Sequence, residues 1–111
     1  MVYAPWDIVV VPFPFSDTKS EKRRPALIVS SASLISRHGM YWLMMITSAE
    51  NERWVDDINL DPPEDCGLPT ASLLRPCKIA TVEEQRILRR LGALPQKYRS
   101  KVRRILRQYS V

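Results

Sequence analysis

Pro25 divides the segment Lys22-Arg23-Arg24-Pro25-Ala26-Leu27-Ile28-Val29-Ser30 into unlike halves, three cations before it and an apolar, β-rich run behind it. Proline fixes its own φ and pushes the preceding residue toward extended geometry. Arg24 is thereby held extended at the mouth of a strand apolar enough to lie at the centre of a sheet. A guanidinium on so rigid a support can grip a phosphate in bidentate fashion. It can equally cap the strand and pair with a surface carboxylate, a role of small energetic weight.

The surrounding chain reads as short strands separated by turns. Asp7-Ile8-Val9-Val10-Val11-Pro12-Phe13 is a β-branched first strand with Pro12 at a strand end or edge. A polar loop from Pro14 to Arg23 leads to the second strand, 26–31. Residues 31–36 suit a single helical turn, and Arg37-His38-Gly39 a surface turn. A third strand, 41–46, ends on the polar cluster Thr47-Ser48-Ala49-Glu50-Asn51-Glu52. Residues 54–60 alternate as a half-exposed strand, and 61–67 form a loop by composition. Segments 71–75 and 77–80 make strands broken or bulged at Pro76. Thr81-Val82-Glu83-Glu84 matches a capping box and predicts a helix to Leu91, ended by Gly92. Pro95 opens a last helix with Tyr98, Val102, Ile105, Leu106 and Tyr109 on one face and Lys97, Arg99, Arg103, Arg104 and Arg107 on the others. Strands first and helices last, within one domain of 111 residues, predict a mainly β fold with terminal helices, a small barrel in place of a parallel α/β sheet.

Charge is unevenly spread. Residues 1–74 carry 6 Lys+Arg and 10 Asp+Glu, a net −4, and residues 75–111 carry 11 and 2, a net +9. A basic C-terminal third suits a polyanion, though it serves solubility or an acidic protein partner as well. No window has the ~18 apolar residues of a membrane helix, and the N-terminus lacks the basic and apolar regions of a secretory signal, so the cytoplasm is the expected compartment. Cys66 and Cys77 lie eleven residues apart without a CxxC, and His38 has no metal-type ligand beside it. Reduced, structural thiols and no metal or other cofactor are expected.

No phosphate-binding glycine loop and no GxSxG elbow is present. What remains is a set of cations and hydroxyls at strand ends: Arg24, Thr47, Ser48 and Arg75. Such a set suits phosphodiester chemistry. RNA cleavage by its own 2′-hydroxyl needs charge stabilisation and a proton shuttle but no metal. Asp17, Glu21 and Glu50 are near these elements in sequence and are candidates to assist.

The first strand Asp7–Val11, the polar loop, the run Arg23-Arg24-Pro25-Ala26-Leu27-Ile28-Val29-Ser30 and the strand end Met45-Ile46-Thr47-Ser48 together resemble the MazF/PemK (Kid) toxins, over roughly Trp6 to Leu91. Gly67 before the strand ending near Lys78-Ile79 fits the same pattern. The resemblance implies an SH3-like (CcdB/PemK-type) barrel and a homodimer. It implies the toxin of a type II toxin–antitoxin system, a metal-independent, sequence-specific endoribonuclease cutting single-stranded mRNA. It also implies a cognate acidic antitoxin that lies over the RNA groove. Arg24 matches the family's catalytic arginine, which stabilises charge on the phosphate and can protonate the leaving 5′-oxygen. Thr47 matches the hydroxyl residue that positions the scissile phosphate. Lys22, Arg23, Ser48, Arg75 and Lys78 are the expected RNA contacts. Some members carry an Asp before the stretch aligned with Lys78-Ile79-Ala80; Leu74-Arg75 stand there in this chain, so that general base is not carried over. The run Pro12-Phe13-Pro14-Phe15 also differs from the charged strand end of the best-known members. Two other classes stay open: a non-catalytic nucleic-acid-binding barrel, and an inhibitor that poisons a topoisomerase, as a relative with the same barrel does.

Overall fold

A computed structural model describes residues 2–13 and 22–111. Among the described residues six strands form one antiparallel sheet: β1 (Asp7–Phe13), β2 (Lys22–Ile28), β3 (Met40–Ser48), β4 (Ile58–Leu60), β5 (Ser72–Glu83) and β6 (Arg89–Ala93). Their order across the sheet is β4-β5-β3-β2-β1-β6, and the sheet curls into the small half-barrel expected of a mainly β chain. Helix α1 (Ala32–His38) joins β2 to β3, and α2 (Gln96–Tyr109) closes the chain.

Strand alternation divides the core between the two faces of the sheet. Ile8, Leu27, Met44, Ile46 and Leu74 point to one face, where Val102 and Ile105 of α2 cover them. Val9, Val11, Ala26, Ile28, Leu43 and Met45 point to the other, with Ile35 of α1 and Val82. β2 is therefore buried on both sides, which is why it reads as a continuous apolar run. On α2 the apolar stripe packs as its spacing predicts, except that Tyr109 lies past the end of the core and is 57% exposed.

The helix expected over 81–91 is not formed. β5 continues through Thr81 and Val82, which pair with Trp42 and Tyr41 of β3. A 3-10 turn at Glu84–Arg86 follows, and Arg89–Ala93 pairs with β1. The capping box was misleading because tertiary partners compete for its groups. The Glu84 carboxylate accepts the Tyr41 hydroxyl at 2.8 Å instead of folding back on its own backbone. Of the two terminal helices expected, only α2 exists. Gly92, read as a helix stop, is a strand residue where β6 crosses the 3-10 turn Pro63–Cys66: a Cβ on it would meet the Cys66 carbonyl oxygen at 2.6 Å. Gly67 faces the same crossing with φ +75.

Smaller departures have local causes. The segment 54–60 is strand only from Ile58, because the Asp57 carboxylate accepts the Trp54 N–H at 2.8 Å and closes a turn. α1 is longer than one turn: Ser31 caps its start and Gly39, at φ 64, ends it. β2 begins at Lys22, so Arg24 lies within the strand, opposite Val11. Of the loop expected over 14–23, residues 14–21 lie outside the described residues, Asp17 and Glu21 among them, and Lys22 and Arg23 belong to β2. Pro76 does sit at a bulge, between the pairs Met44↔Ile79 and Ile46↔Leu74. Cys66 is buried, which pushes its thiol up, and Cys77 is exposed; both are free thiols.

Tyr41 is fully buried, and this burial, with the Glu84 hydrogen bond next in weight, raises its hydroxyl from 10 to about 12. A phenol harder to ionise when folded stabilises the fold in its neutral form. That stabilisation is complete below pH 10 and is lost as pH rises from about 10 to about 12. Urea titrations across this range should show wild type losing stability relative to Tyr41→Phe, and parallel curves would refute the assignment. At neutral pH the variant should be about 1 kcal/mol less stable, having lost one hydrogen bond.

Candidate active site

Arg24 and Thr47 meet at one end of the sheet. β2 and β3 pair with Ala26 opposite Met45, and continuing that register two residues sets Arg24 across from Thr47. Both alternate with core residues of the Val9–Val11–Met45 face, so they occupy that row just beyond the core. Phe13 occupies it on β1 and packs on the same cluster.

Two clefts open here. The first, about 380 Å³, is lined by Phe13, Met45, Asn51, Arg75 and Lys78. The second, about 310 Å³, is lined by Arg23, Pro25, Ser48, Ser72 and Arg89 among others. Arg24, Ile46 and Thr47 line both. The pair therefore stands on the ridge between two clefts, reachable from either. A chain of nucleotides laid across such a ridge would put one phosphate on the ridge and a nucleotide to each side. Among the described residues no carboxylate forms an ion pair with Arg24; the pairs are Arg75–Asp57 and Arg90–Asp7.

The cleft walls are held by specific contacts. The Thr47 hydroxyl accepts from the Asn51 side-chain amide at 2.5 Å. The Asn51 backbone N–H bonds the Ser48 carbonyl at 3.1 Å, and the Ser48 hydroxyl accepts the Glu50 N–H at 3.2 Å. This tight turn follows β3 directly, so Thr47 is anchored by strand pairing on one side and by the turn on the other. The Lys78 ammonium lies 4.7 Å from the Phe13 ring centroid.

Arg75 is placed differently from the strand-end phosphate contact expected for it. It is 7% exposed, and its Nη2 pairs with Asp57 at 2.8 Å and with the Glu52 carbonyl at 2.7 Å. Its Nε also faces Asp57, and the Trp54 ring stacks on the guanidinium at 4.0 Å. Burial and these partners make it a wall of the first cleft. Lys22 and Arg23 are exposed at the start of β2; Arg23 lines the second cleft, and Lys22 lines neither. Glu50 is exposed and lines neither cleft. Sequence reasoning did not single out Phe13, Asn51 or Arg89. Alternation from Val9 through Val11 would have put Phe13 on the Arg24 face. Arg89 could not be found while its strand was read as helix. His38 ends α1, exposed and away from the clefts. Among the described residues no group of three or more His, Cys, Asp or Glu is placed to hold a metal.

The fold agrees with what known proteins show. The chain belongs to the PemK-like, MazF-like toxins of type II toxin–antitoxin systems, whose family model matches residues 4–110. It is similar to a MazE–MazF structure from Deinococcus radiodurans, with TM-score 0.75 and 21% identity over 97% of this chain and 95% of that one. It is similar to the Mycobacterium tuberculosis toxin MazF-mt6, with TM-score 0.73 and 16% identity over 92% and 93%. A mycobacterial endoribonuclease in complex with its cognate antitoxin aligns with TM-score 0.70 and 13% identity over 96% and 91%. A search of curated proteins found no match.

The Arg75–Asp57 pair is the most exposed to single substitution. Asp57→Ala leaves a buried guanidinium unpaired and should destabilise the fold by about 3–5 kcal/mol in urea unfolding. Replacing both partners, as Asp57→Leu with Arg75→Met, should restore most of that loss. A single variant as stable as wild type would show that the pair holds nothing in place.

Proposed function

We propose that this toxin is an endoribonuclease that cuts single-stranded mRNA by attack of the 2′-hydroxyl on the adjacent phosphate, without a metal. The observation that carries this reading is the position of Arg24: on a rigid strand, beside the Thr47 hydroxyl, on the ridge shared by two clefts. In the reaction the 2′-oxygen bonds to phosphorus as its proton passes to a solvent water. The bond to the 5′-oxygen then breaks as that oxygen takes a proton from the Arg24 guanidinium, which solvent reprotonates, leaving a 2′,3′-cyclic phosphate and a 5′-hydroxyl. Arg24 meets the negative charge that builds on the phosphate oxygens, where a fixed guanidinium is worth most. Thr47, its hydroxyl engaged by Asn51, holds the phosphate in register. Arg23, Lys78 and Arg89 supply positive charge along the clefts, Lys22 extends it at the start of β2, and Ser48 lies on the second cleft beside Thr47. No helix of the described residues is long and apolar enough to cross a membrane, and we place the toxin in the cytoplasm, where mRNA is found. An acidic, extended antitoxin segment would block the site by occupying the same cationic clefts.

We also propose that the toxin works as a homodimer. Trp42, Ile79 and Tyr109 are 48%, 46% and 57% exposed, and with Val29, Ile105 and Leu106 they line an apolar groove of about 740 Å³. A contiguous apolar surface of this kind is uncommon on a monomer, and a second copy would bury it.

Two measurements test these readings. In single-turnover cleavage of a long RNA with excess EDTA, wild type should cut. Arg24→Ala should be slower by on the order of 10²–10³ with an unchanged melting temperature, and Arg24→Lys should recover little, since a point charge does not reproduce the bidentate fork. A folded Arg24→Ala that cuts at the wild-type rate, or wild-type activity that needs added magnesium or zinc, overturns the mechanism. For the assembly, light scattering should give twice the chain mass for wild type and the chain mass for Ile79→Asp with Trp42→Glu. A monomeric wild type refutes the dimer.

A further inference from the structure

The cations of α2 are arranged against the interest of the helix that carries them. No Asp or Glu follows Glu84 in the chain, so none of these cations is paired along the helix. Lys97 and Lys101, Arg99 and Arg103, and Arg103 and Arg107 are like charges four residues apart, a spacing at which they repel. Lys97 and Arg99 also stand near the start of α2, where a cation opposes the helix dipole. A face that served only solubility would interleave both signs. A face of one sign is relieved when a polyanion lies on it.

Helical period sets these cations in two rows. Lys97, Lys101 and Arg104 form one, all exposed and directed away from the Val102 and Ile105 stripe. Lys97 touches the Asp61 carbonyl at 3.4 Å and the Tyr98 ring, and among the described residues Lys101 and Arg104 form no ion pair. Successive members lie about 4.5–6 Å apart along the axis, so each can take its own phosphate on one strand. Arg99 and Arg103 form the other row, over the Trp6 ring at 5.4 and 5.0 Å. Trp6 is itself fixed: its N–H goes to the Ile28 carbonyl and its carbonyl accepts the Leu94 N–H, each at 2.9 Å. Guanidinium groups held on an aromatic ring stack bases of any sequence. An acidic peptide makes no use of that row, whereas a nucleic acid uses both.

The two rows continue the proposed RNA site. Leu68 and Leu91 line the second cleft and pack on the same core cluster as Val102 and Ile105 of α2. The second cleft therefore opens toward the face of the sheet that α2 covers. α2 also begins shortly after β6, whose Arg89 lines that cleft. A strand that leaves the ridge through the second cleft runs toward α2.

We propose that the outer face of α2 is a sequence-independent docking track for single-stranded RNA, on which Lys97, Lys101 and Arg104 bind phosphates of the strand that has left the second cleft. It rests on the nuclease reading for where that strand comes from; the docking itself is measured without cleavage.

The test uses fluorescent 2′-O-methyl RNAs of mixed sequence, about 5 and about 30 nucleotides long, the first enough for the clefts alone. They carry no free 2′-hydroxyl, so wild-type protein holds them uncut. Wild type is compared with Lys97→Ala, Lys101→Ala and Arg104→Ala combined, and with the charge-keeping combination Lys97→Arg, Lys101→Arg and Arg104→Lys. Melts of all three should coincide, since each replacement is a good helix former. The alanine variant should lose on the order of 10-fold affinity for the long RNA and none for the short one. Its slope of log affinity against log salt should fall by about 2, since each single-strand phosphate contributes about 0.7. The charge-keeping variant should match wild type. An unchanged slope, or an equal loss on both RNAs, overturns the proposal. So does an alanine variant that keeps the long RNA and no longer binds poly-glutamate, which assigns the face to an acidic protein. In cleavage of a long unmodified RNA the alanine substitutions should raise KM by the same factor at unchanged kcat. Length-dependent binding by a protein that cuts nothing keeps the track and removes the nuclease. Cleavage with KM unaltered by the three substitutions keeps the nuclease and removes the track.

Discussion

The double burial of β2 is the constraint on which the rest depends. Ala26, Leu27 and Ile28 are all fully buried, between β1 and β3 along the sheet and between the two core clusters across it. Burial of Leu27 and Ile28 stabilises by about 1.5–3 kcal/mol each, and a slip of one residue would exchange the two faces. The register of β2 is therefore strongly specified, and Arg24, two residues before the buried run, inherits it. A side chain on a loop would have to be ordered by the substrate. This one is positioned by the core before any ligand arrives, the preorganisation that the role proposed for it requires.

The same economy governs the rest of the site. Thr47 lies at the end of β3, where strand pairing stops and the turn held by Ser48 and Asn51 begins. Lys78 reaches the first cleft because β5 bulges at Pro76, adding residues opposite Met45 and turning the strand there. Arg75, inside that bulge, is drawn inward by Asp57, so one cation of the strand becomes architecture while another reaches the cleft. Bulges of this kind re-aim side chains without interrupting the sheet.

The net +9 of the C-terminal third does not act as one patch. Arg75 is buried, Arg90 pairs with Asp7, and Arg99 and Arg103 lie over the Trp6 ring. Lys78 and Arg89 face the two clefts, and the remaining cations of α2 are spread over its exposed side. Net charge marked a bias toward anionic partners, but only folding distributes that charge between ion pairs, aromatic contacts and the site.

Local signals were enough for β1, β2, β3 and α2, because apolar periodicity and proline punctuation act over a few residues and the core enforces them. The place of Arg24 at the head of a buried strand, and of Thr47 at the end of the next, was legible on the same grounds. Where two local signals competed, tertiary contacts decided. Thr81-Val82-Glu83-Glu84 satisfies the rule for a helix start, yet pairing with β3 satisfies its backbone, and Tyr41, 43 residues earlier, takes the Glu84 carboxylate. Both are long-range partners, and no window of sequence contains them. The same holds for Arg75, whose burial depends on Asp57, and for Asn51, whose meaning depends on its bond to Thr47 beside Arg24. The sequence determined the buried strands β1, β2 and β3 and the cations and hydroxyls near their ends; the tertiary structure decided that 89–93 is strand and which of those cations face a cleft, since both depend on partners the chain brings together only when the sheet curls.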